Sequence, residues 1–384
     1  MHLKRKKLLL ILLAFIILLS LFLLKVREHM IDFEVNYRAG KRLREAESLY
    51  QVEDGHFMFK YLPSSALLYL PLSFLPLNAA KAIWYSIVVF CLCSLVYVSN
   101  KILPSEKKKS VYLLILPPLI LVKFFLRELH LGQINALVTM VLLFMILILS
   151  YEKNTTPSKK DIKAGVLWGI ATALKPYALV FFPYFLLKKK WKSLLSGAGF
   201  LLLALLIPAA FYGWRRNITI LKEWISTLSQ STKALLASQD NISITAFFIK
   251  WTGNQNISLL LSALVIAILA FLVLAVILVG RRMGRESVLE CSILLILIPL
   301  ISPLGWDYTL LMSVLGVTII IHNFSGYSKL WRGVLVFNFF VIAFSLYDVM
   351  GRDLYTRFMS WSVITINFLI LIGYLMYLRF RRIC

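Results

Sequence analysis

Residues 257–280 read ISLLLSALVIAILAFLVLAVILVG, a run without a single charged side chain. An α-helix rises about 1.5 Å per residue, so roughly 20 such residues cross the ~30 Å hydrocarbon core of a bilayer. Residues 8–24 (LLLILLAFIILLSLFLL) and 361–378 (WSVITINFLILIGYLMYL) have the same character. Across all 384 residues, 60% are hydrophobic and only 16% are Asp, Glu, Lys or Arg, against about 25% charged residues in an ordinary soluble domain. A soluble core of this size could not absorb so much apolar surface. The chain reads as all-α, a polytopic membrane helix bundle, with residues 1–384 forming a single integral membrane domain.

The net charge of +24 raises nucleic-acid binding, and its distribution excludes it. No stretch interleaves basic and aromatic residues on a soluble surface, and no zinc or helix-turn-helix spacing occurs. The charge lies in short loops between apolar runs, where lysine and arginine mark the cytoplasmic side. Cys91 and Cys93 lie inside an apolar run and read as buried small hydrophobes; with Cys291 and Cys384 they suggest neither a disulfide framework nor a metal site.

The remaining apolar pieces are 61–76, 79–98, 111–126, 134–150, 164–187, 193–212, 287–301, 309–322 and 333–346. The segment 8–24 follows Lys4–Lys7 and is too long for a signal-peptide core, so it is expected to span with its N-terminus inside. Basic clusters at 107–109, 153–163, 188–192, 281–285, 329–332 and 379–382 are expected inside. Two pieces break simple alternation. Residues 61–76 are short and carry Pro63, Pro71 and Pro76, so they are expected to dip into the outer leaflet without crossing. Residues 164–187 lie between two inner clusters and carry Lys175-Pro176 at mid-length, which predicts a pair of half-helices broken there. The layout is about ten full spans, one broken pair and both termini in the cytoplasm. It places two long segments outside, 25–60 and 213–256, and the cell inner (plasma) membrane is the expected location.

The outer face carries the chemistry. Val35, Ala39, Leu43 and Ala46 recur at helical spacing, predicting an amphipathic surface helix, with Asp32 just before it. Asp32 is either an N-cap or a carboxylate at the mouth of a membrane cleft. In the turn Arg127-Glu128-Leu129-His130-Leu131-Gly132-Gln133-Ile134-Asn135, Gln133 and Asn135 either bridge helices or line a polar groove, and His130 reads mainly as interfacial. Lys175 in an apolar stretch suits a phosphate or a structural ion pair. Asp307, after the helix-breaking Ser302-Pro303 and Gly305, suits a basic partner or a sugar hydroxyl, and Trp306 and Tyr308 fit an interfacial aromatic belt.

Taken together, Asp32-Phe33, Tyr37, Ala39-Gly40 and Leu49-Tyr50, then Tyr61-Leu62-Pro63, Gly132-Gln133, Asn135, Lys175-Pro176, Asn241, Ser243, Ser302-Pro303, Trp306 and Tyr308 resemble glycosyltransferase family 87, the polyprenol-phosphate-mannose-dependent mannosyltransferases. The resemblance implies the GT-C membrane architecture and a hexosyltransferase. Its donor would be a polyprenyl-phosphate-linked sugar, mannose first, and its acceptor an envelope glycolipid or glycan at the outer face. It implies Asp32 as general base and Lys175 near the donor phosphate; Tyr37, Arg38, Gln133, Asn135, Asn241, Asp307 and Tyr308 are the further candidates for binding the donor phosphate or the substrate. Asp307 stands where many members have histidine, and Leu62-Pro63 where a proline pair is frequent. No cofactor is implied, and a divalent metal is left open. Apart from that resemblance, a transporter or flippase of lipid-linked sugars would share a bundle, a groove and a buried lysine, but should show repeat symmetry between halves, and none is seen. A non-catalytic envelope assembly protein would tolerate replacement of Asp32.

Overall fold

The computed structural model describes residues 16–103, 111–151, 156–279 and 286–381. The basic cluster 4–7, the first half of the run 8–24, the lysines of 107–109, Lys153, the arginines of 281–285, Arg382 and Cys384 lie outside the described residues.

Among the described residues the fold is helical, with no β-sheet; one isolated antiparallel bridge joins Asn241 and Trp306. Among the described residues four helices are long and apolar enough to cross a membrane: Leu77–Ile102, Trp191–Tyr212, Gln255–Leu278 and Val363–Phe380. This is a multi-pass all-α membrane fold. Its burial pattern fits lipid as the solvent: only 22% of the most apolar window of Gln255–Leu278 is buried within the protein. Meanwhile Lys123, Glu128, Gln133, Asn135, Lys175 and Asp307 are buried, as polar groups must be where hydrocarbon offers them no partner.

The chain enters through α1 (Ile16–Val26) and turns into α2 (Ile31–Arg44), which carries Asp32. The helix starts two residues earlier than the sequence reading placed it. Met30 occupies the N-cap and Asp32 sits inside the first turn, so the capping role falls away. The carboxylate still gains from the positive end of the helix dipole. The helix ends at Arg44, and Ala46 lies beyond it with φ of 54°. Lys81 of α3 (Leu77–Ile102) anchors the turn between α1 and α2. Its Nζ donates to the Arg27 carbonyl at 2.7 Å and pairs with Glu34 at 2.6 Å.

Residues 61–76 hold two short 3₁₀ turns, Pro63–Leu68 and Leu72–Phe74, which support the underside of α2. A Cβ added at Gly40 would come within 2.8 Å of the Tyr69 backbone, which explains glycine at that crossing. Cys91 is buried in α3, but Cys93 is exposed, since positions two apart on a helix face different directions.

Pro117 and Pro118 weaken the ladder of α4 (Tyr112–Ile120), and the chain bends at Leu121 into α5 (Val122–Leu131). Gly132 closes α5 at φ +65°, where a Cβ would also strike Phe33 at 2.7 Å. That left-handed turn delivers Gln133 and Asn135 ahead of α6 (Asn135–Tyr151). Next, α7 (Pro157–Leu174) breaks at Lys175, whose φ/ψ of −144°/115° is extended. A 3₁₀ turn, Pro176–Val180, leads into α8 (Phe181–Leu187). Gly165 and Gly169 let α7 pack closely on Ser193 and Gly197 of α9 (Trp191–Leu206). Further on, α10 (Trp214–Leu235) and α11 (Ile244–Thr252) lead into α12 (Gln255–Val279). Then come α13 (Glu286–Ile301), the turn Asp307–Ser313 with α14 (Val314–His322), α15 (Lys329–Ala343), α16 (Arg352–Ser360) and α17 (Val363–Phe380).

Candidate active site

The starts of α2 and α6, the break at Lys175 and the turn before Asp307 converge on a cavity of about 390 Å³. Asp32, Lys60, Gln133, Lys175, Arg127 and Tyr308 contribute its polar wall, and Leu228 and Leu235 of α10 lie across from them.

Asp32 is held by Gln133. The Gln133 Nε2 donates to Asp32 Oδ2 at 2.7 Å and to the Tyr308 hydroxyl at 3.3 Å. The orientation of that amide is forced, because its Oε1 accepts from the Tyr61 hydroxyl at 3.2 Å and Lys175 Nζ at 3.3 Å. Lys175 also donates to Asn135 Oδ1 at 2.7 Å, and the Tyr177 hydroxyl reaches the same oxygen at 2.7 Å. Asn135 in turn donates to Glu128 at 2.8 Å, and the other Glu128 oxygen takes the Ala136 amide at 2.7 Å. Lys175 Nζ also lies 5.2 Å and 5.5 Å from the ring centroids of Tyr61 and Tyr177, within cation–π range. The chain Glu128–Asn135–Lys175–Gln133–Asp32 is thus continuous, and it leaves Asp32 Oδ1 for the cavity.

Burial pushes the Asp32 carboxyl above the usual carboxylate range; the Gln133 hydrogen bond and then Lys175, Lys60 and Arg127 pull it back. Lys60 is shifted the opposite way: burial lowers its ammonium, and Asp32 opposes the change. A carboxylate that is partly desolvated, held by one donor and open on its other oxygen suits proton abstraction from a hydroxyl.

Behind Arg127 the polar wall continues into an ion cluster. Arg127 Nη1 lies 2.9 Å from the Asp307 carboxylate and Nη2 3.0 Å from Asp240, while Lys123 Nζ is 3.1 Å from Asp307. The Tyr308 ring stacks on Trp306 with a 13° interplanar angle, and the Arg127 guanidinium lies 5.7 Å from its centroid.

The structure therefore brings together Asp32, Gln133, Asn135, Lys175, Asp307 and Tyr308. It does not bring Tyr37, Arg38 or Asn241 into the cavity wall. The Tyr37 hydroxyl donates to the Leu75 carbonyl at 2.7 Å, and Arg38 faces Asp54 at 3.4 Å. On a helix, positions five and six beyond Asp32 point away from it, whereas Val35, three beyond, lines the cavity. Asn241 is a loop staple. Its amide donates to the Leu236 and Pro303 carbonyls, and its oxygen accepts from the Ser243 and Gly305 amides, all within 3.1 Å. His130 stands outside this cavity, with its ring 4.9 Å from that of His29. Sequence reasoning missed Arg127, Asp240, Lys60 and Tyr177. Arg127 adjoins the Gly132-Gln133 turn and Asp240 adjoins Asn241, but nothing local marks either as a partner of Asp307. Among the described residues no group of three or more His, Cys, Asp or Glu is placed to hold a metal ion.

Residues 59–303 match the model of glycosyltransferase family 87. The chain belongs to glycosyltransferase family 87. No curated protein and no solved structure matches it closely enough to add a second comparison. Family 87 membership makes sugar transfer the general activity. The matched region holds Gln133, Asn135, Lys175 and Asp240, while Asp32 precedes it and Asp307 and Tyr308 follow it. In this family 87 member, segments outside the match thus complete the cavity wall.

Proposed function

We propose that this protein transfers a hexose, mannose first, from a polyprenyl-phosphate-linked donor to a hydroxyl of an envelope glycolipid or glycan. The observation that carries the reading is Asp32, clamped by Gln133 on one oxygen and open on the other, in a cavity it shares with Lys60, Lys175 and Arg127. In the reaction, Asp32 takes the proton of the acceptor hydroxyl as that oxygen bonds to the anomeric carbon. The bond from that carbon to the phosphate oxygen breaks, and the electron pair leaves with the lipid phosphate. A phosphate leaving group is stable as an anion and needs no general acid, so one carboxylate suffices for an inverting displacement. Lys175 serves Asp32 through Gln133, and its charge adds to the positive potential that a donor phosphate meets in the cavity.

The accompanying layout is the one expected from the sequence. It has about ten full spans and a broken pair at Lys175, with both termini cytoplasmic and the cavity at the outer face of the plasma membrane. Lipid-borne donor and water-borne acceptor meet there. Purified protein supplied with polyprenyl-phosphate mannose and candidate acceptors tests the reading. Transfer to a glycan or glycolipid supports it. Transfer from a sugar nucleotide in a preparation free of lipid-linked sugars would overturn it.

A further inference from the structure

The Arg127–Asp240 pair separates the Asp32 cavity from a second crevice of about 440 Å³. Arg127 and Asp240 line both. The crevice runs between the end of α1, α5 and the segment leading into α16, and its walls differ in kind. Leu21, Leu126 and Leu346 form an apolar side, and the neighbouring Leu19 and Leu23 of α1 are exposed. Lys25, Lys123 and His130 line the other side together with Asp348, which pairs with Lys25 at 3.6 Å; Lys123 Nζ lies 4.8 Å from the Tyr355 ring centroid. An apolar wall beside cations is the complement of a lipid phosphate.

The two carboxylates on Arg127 are not equivalent. Asp307 is fully buried, is shared with Lys123, and receives Arg127 from inside the bundle. The Asp240 side chain is 34% exposed and sits on the turn after α10. With Asp240 in place, Lys123 and Arg127 are balanced by two carboxylates. With Asp240 swung out, one positive charge is left over, which equals the single negative charge of a phosphodiester.

We infer that Asp240 is a removable plug on Arg127, and that the phosphate of the lipid-linked donor takes its place, coming sideways from the bilayer through the Leu21–Leu346 crevice. Opening the Arg127–Asp240 pair joins the two cavities, so the sugar ring passes toward Asp32 while the lipid stays on the far side of Arg127. Base and leaving group then stand on opposite faces of the sugar, as an inverting displacement requires. The inference rests on the proposed lipid-phosphate donor and adds its route, its main counter-ion and the group it displaces.

Binding separates this inference from the enzyme reading. Farnesyl phosphate, farnesol and inorganic phosphate are titrated against full-length protein in detergent, with wild type, Asp240→Asn and Arg127→Lys compared. Wild type is expected to bind farnesyl phosphate at least tenfold more tightly than either control. Asp240→Asn is expected to tighten farnesyl phosphate binding about tenfold, because the competitor carboxylate is gone. Arg127→Lys, which keeps the charge beside Asp307 but loses the two-pronged fork, is expected to weaken it tenfold or more. Equal or weaker binding by folded Asp240→Asn overturns the exchange. Inorganic phosphate binding as tightly as farnesyl phosphate overturns the lipid route. If these binding results hold and no sugar is ever transferred, the enzyme reading fails and the exchange stands. If transfer proceeds and Asp240→Asn binds like wild type, the exchange alone fails.

Discussion

Replacing Asp32 with Asn tests the base with the least structural disturbance. The two side chains have nearly the same volume, and the hydrogen-bond geometry dictates how the amide will sit. Gln133 must present its NH₂ to position 32, because its carbonyl oxygen is occupied by Tyr61 and Lys175. The new amide therefore turns its oxygen to Gln133, keeping the 2.7 Å contact, and points its own NH₂ into the cavity. A donor then stands where the acceptor hydroxyl needs a proton acceptor. General-base catalysis contributes about 10²- to 10⁴-fold, which is roughly 3–5 kcal/mol of barrier at 1.36 kcal/mol per factor of ten. The expected result is a fall of that size in kcat for sugar transfer, with donor KM little changed. Stability should move the other way. Burial holds the folded Asp32 pKa above its unfolded value, so ionisation costs more in the fold. That cost is absent below the unfolded pKa and complete above the folded one. At neutral pH the Asn variant should melt at the same temperature as wild type or higher. A melting curve and steady-state transfer assays on one preparation measure both. A folded Asp32→Asn enzyme with kcat within threefold of wild type would refute the assignment.

Other expectations follow from the same contacts. The acid limb of kcat/KM should lie above the ordinary carboxylate range, and Lys175→Met, which removes a cation that lowers the Asp32 pKa, should move it further up. Gln133→Leu should move that limb further than Lys175→Met, since the Gln133 hydrogen bond outranks Lys175 among the influences lowering the Asp32 pKa; pH–rate profiles of the variants check both. Arg38→Ala should leave donor KM within about twofold, because Arg38 is half exposed outside the cavity and Arg42 still holds Asp54. Asn241→Ala should destabilise the protein by about 2–4 kcal/mol in an unfolding titration, since one side chain satisfies four backbone groups. In a cysteine-free background, Val52→Cys should react with a membrane-impermeant maleimide on intact cells, and Lys159→Cys only after permeabilisation.

Much of this architecture is legible in sequence because its signals are local. Long apolar runs mark the helices, Lys175-Pro176 marks the break, and Gly132 marks the turn that presents Gln133. Asp32 is visible as an acid just past an apolar run. What stays hidden is pairing across the chain. Arg127 meets Asp240 and Asp307 at separations of 113 and 180 residues, and no spacing rule reaches so far. Lys123 inside an apolar run could be recognised as costly, but its partner could not be named. The misplacement of Tyr37 and Arg38 has a different origin. Residues contiguous in a motif fan out around a helix, so membership in the motif did not put them on the Asp32 face. Asn241 is read as a ligand for a related reason, because an asparagine that knits two loops carries the same letter as one that binds sugar.

Asp32 and Gln133 belong to separate membrane elements, α1–α2 on one side and α4–α5 on the other. Their hydrogen bond therefore compares the heights at which two helices emerge. A bilayer that is too thick or too thin makes helices tilt by different amounts, and a contact of 2.7 Å tolerates little vertical slip. The acyl-chain length of the surrounding lipid thus becomes a variable of the chemistry, and turnover should peak at one membrane thickness and fall away on both sides of it.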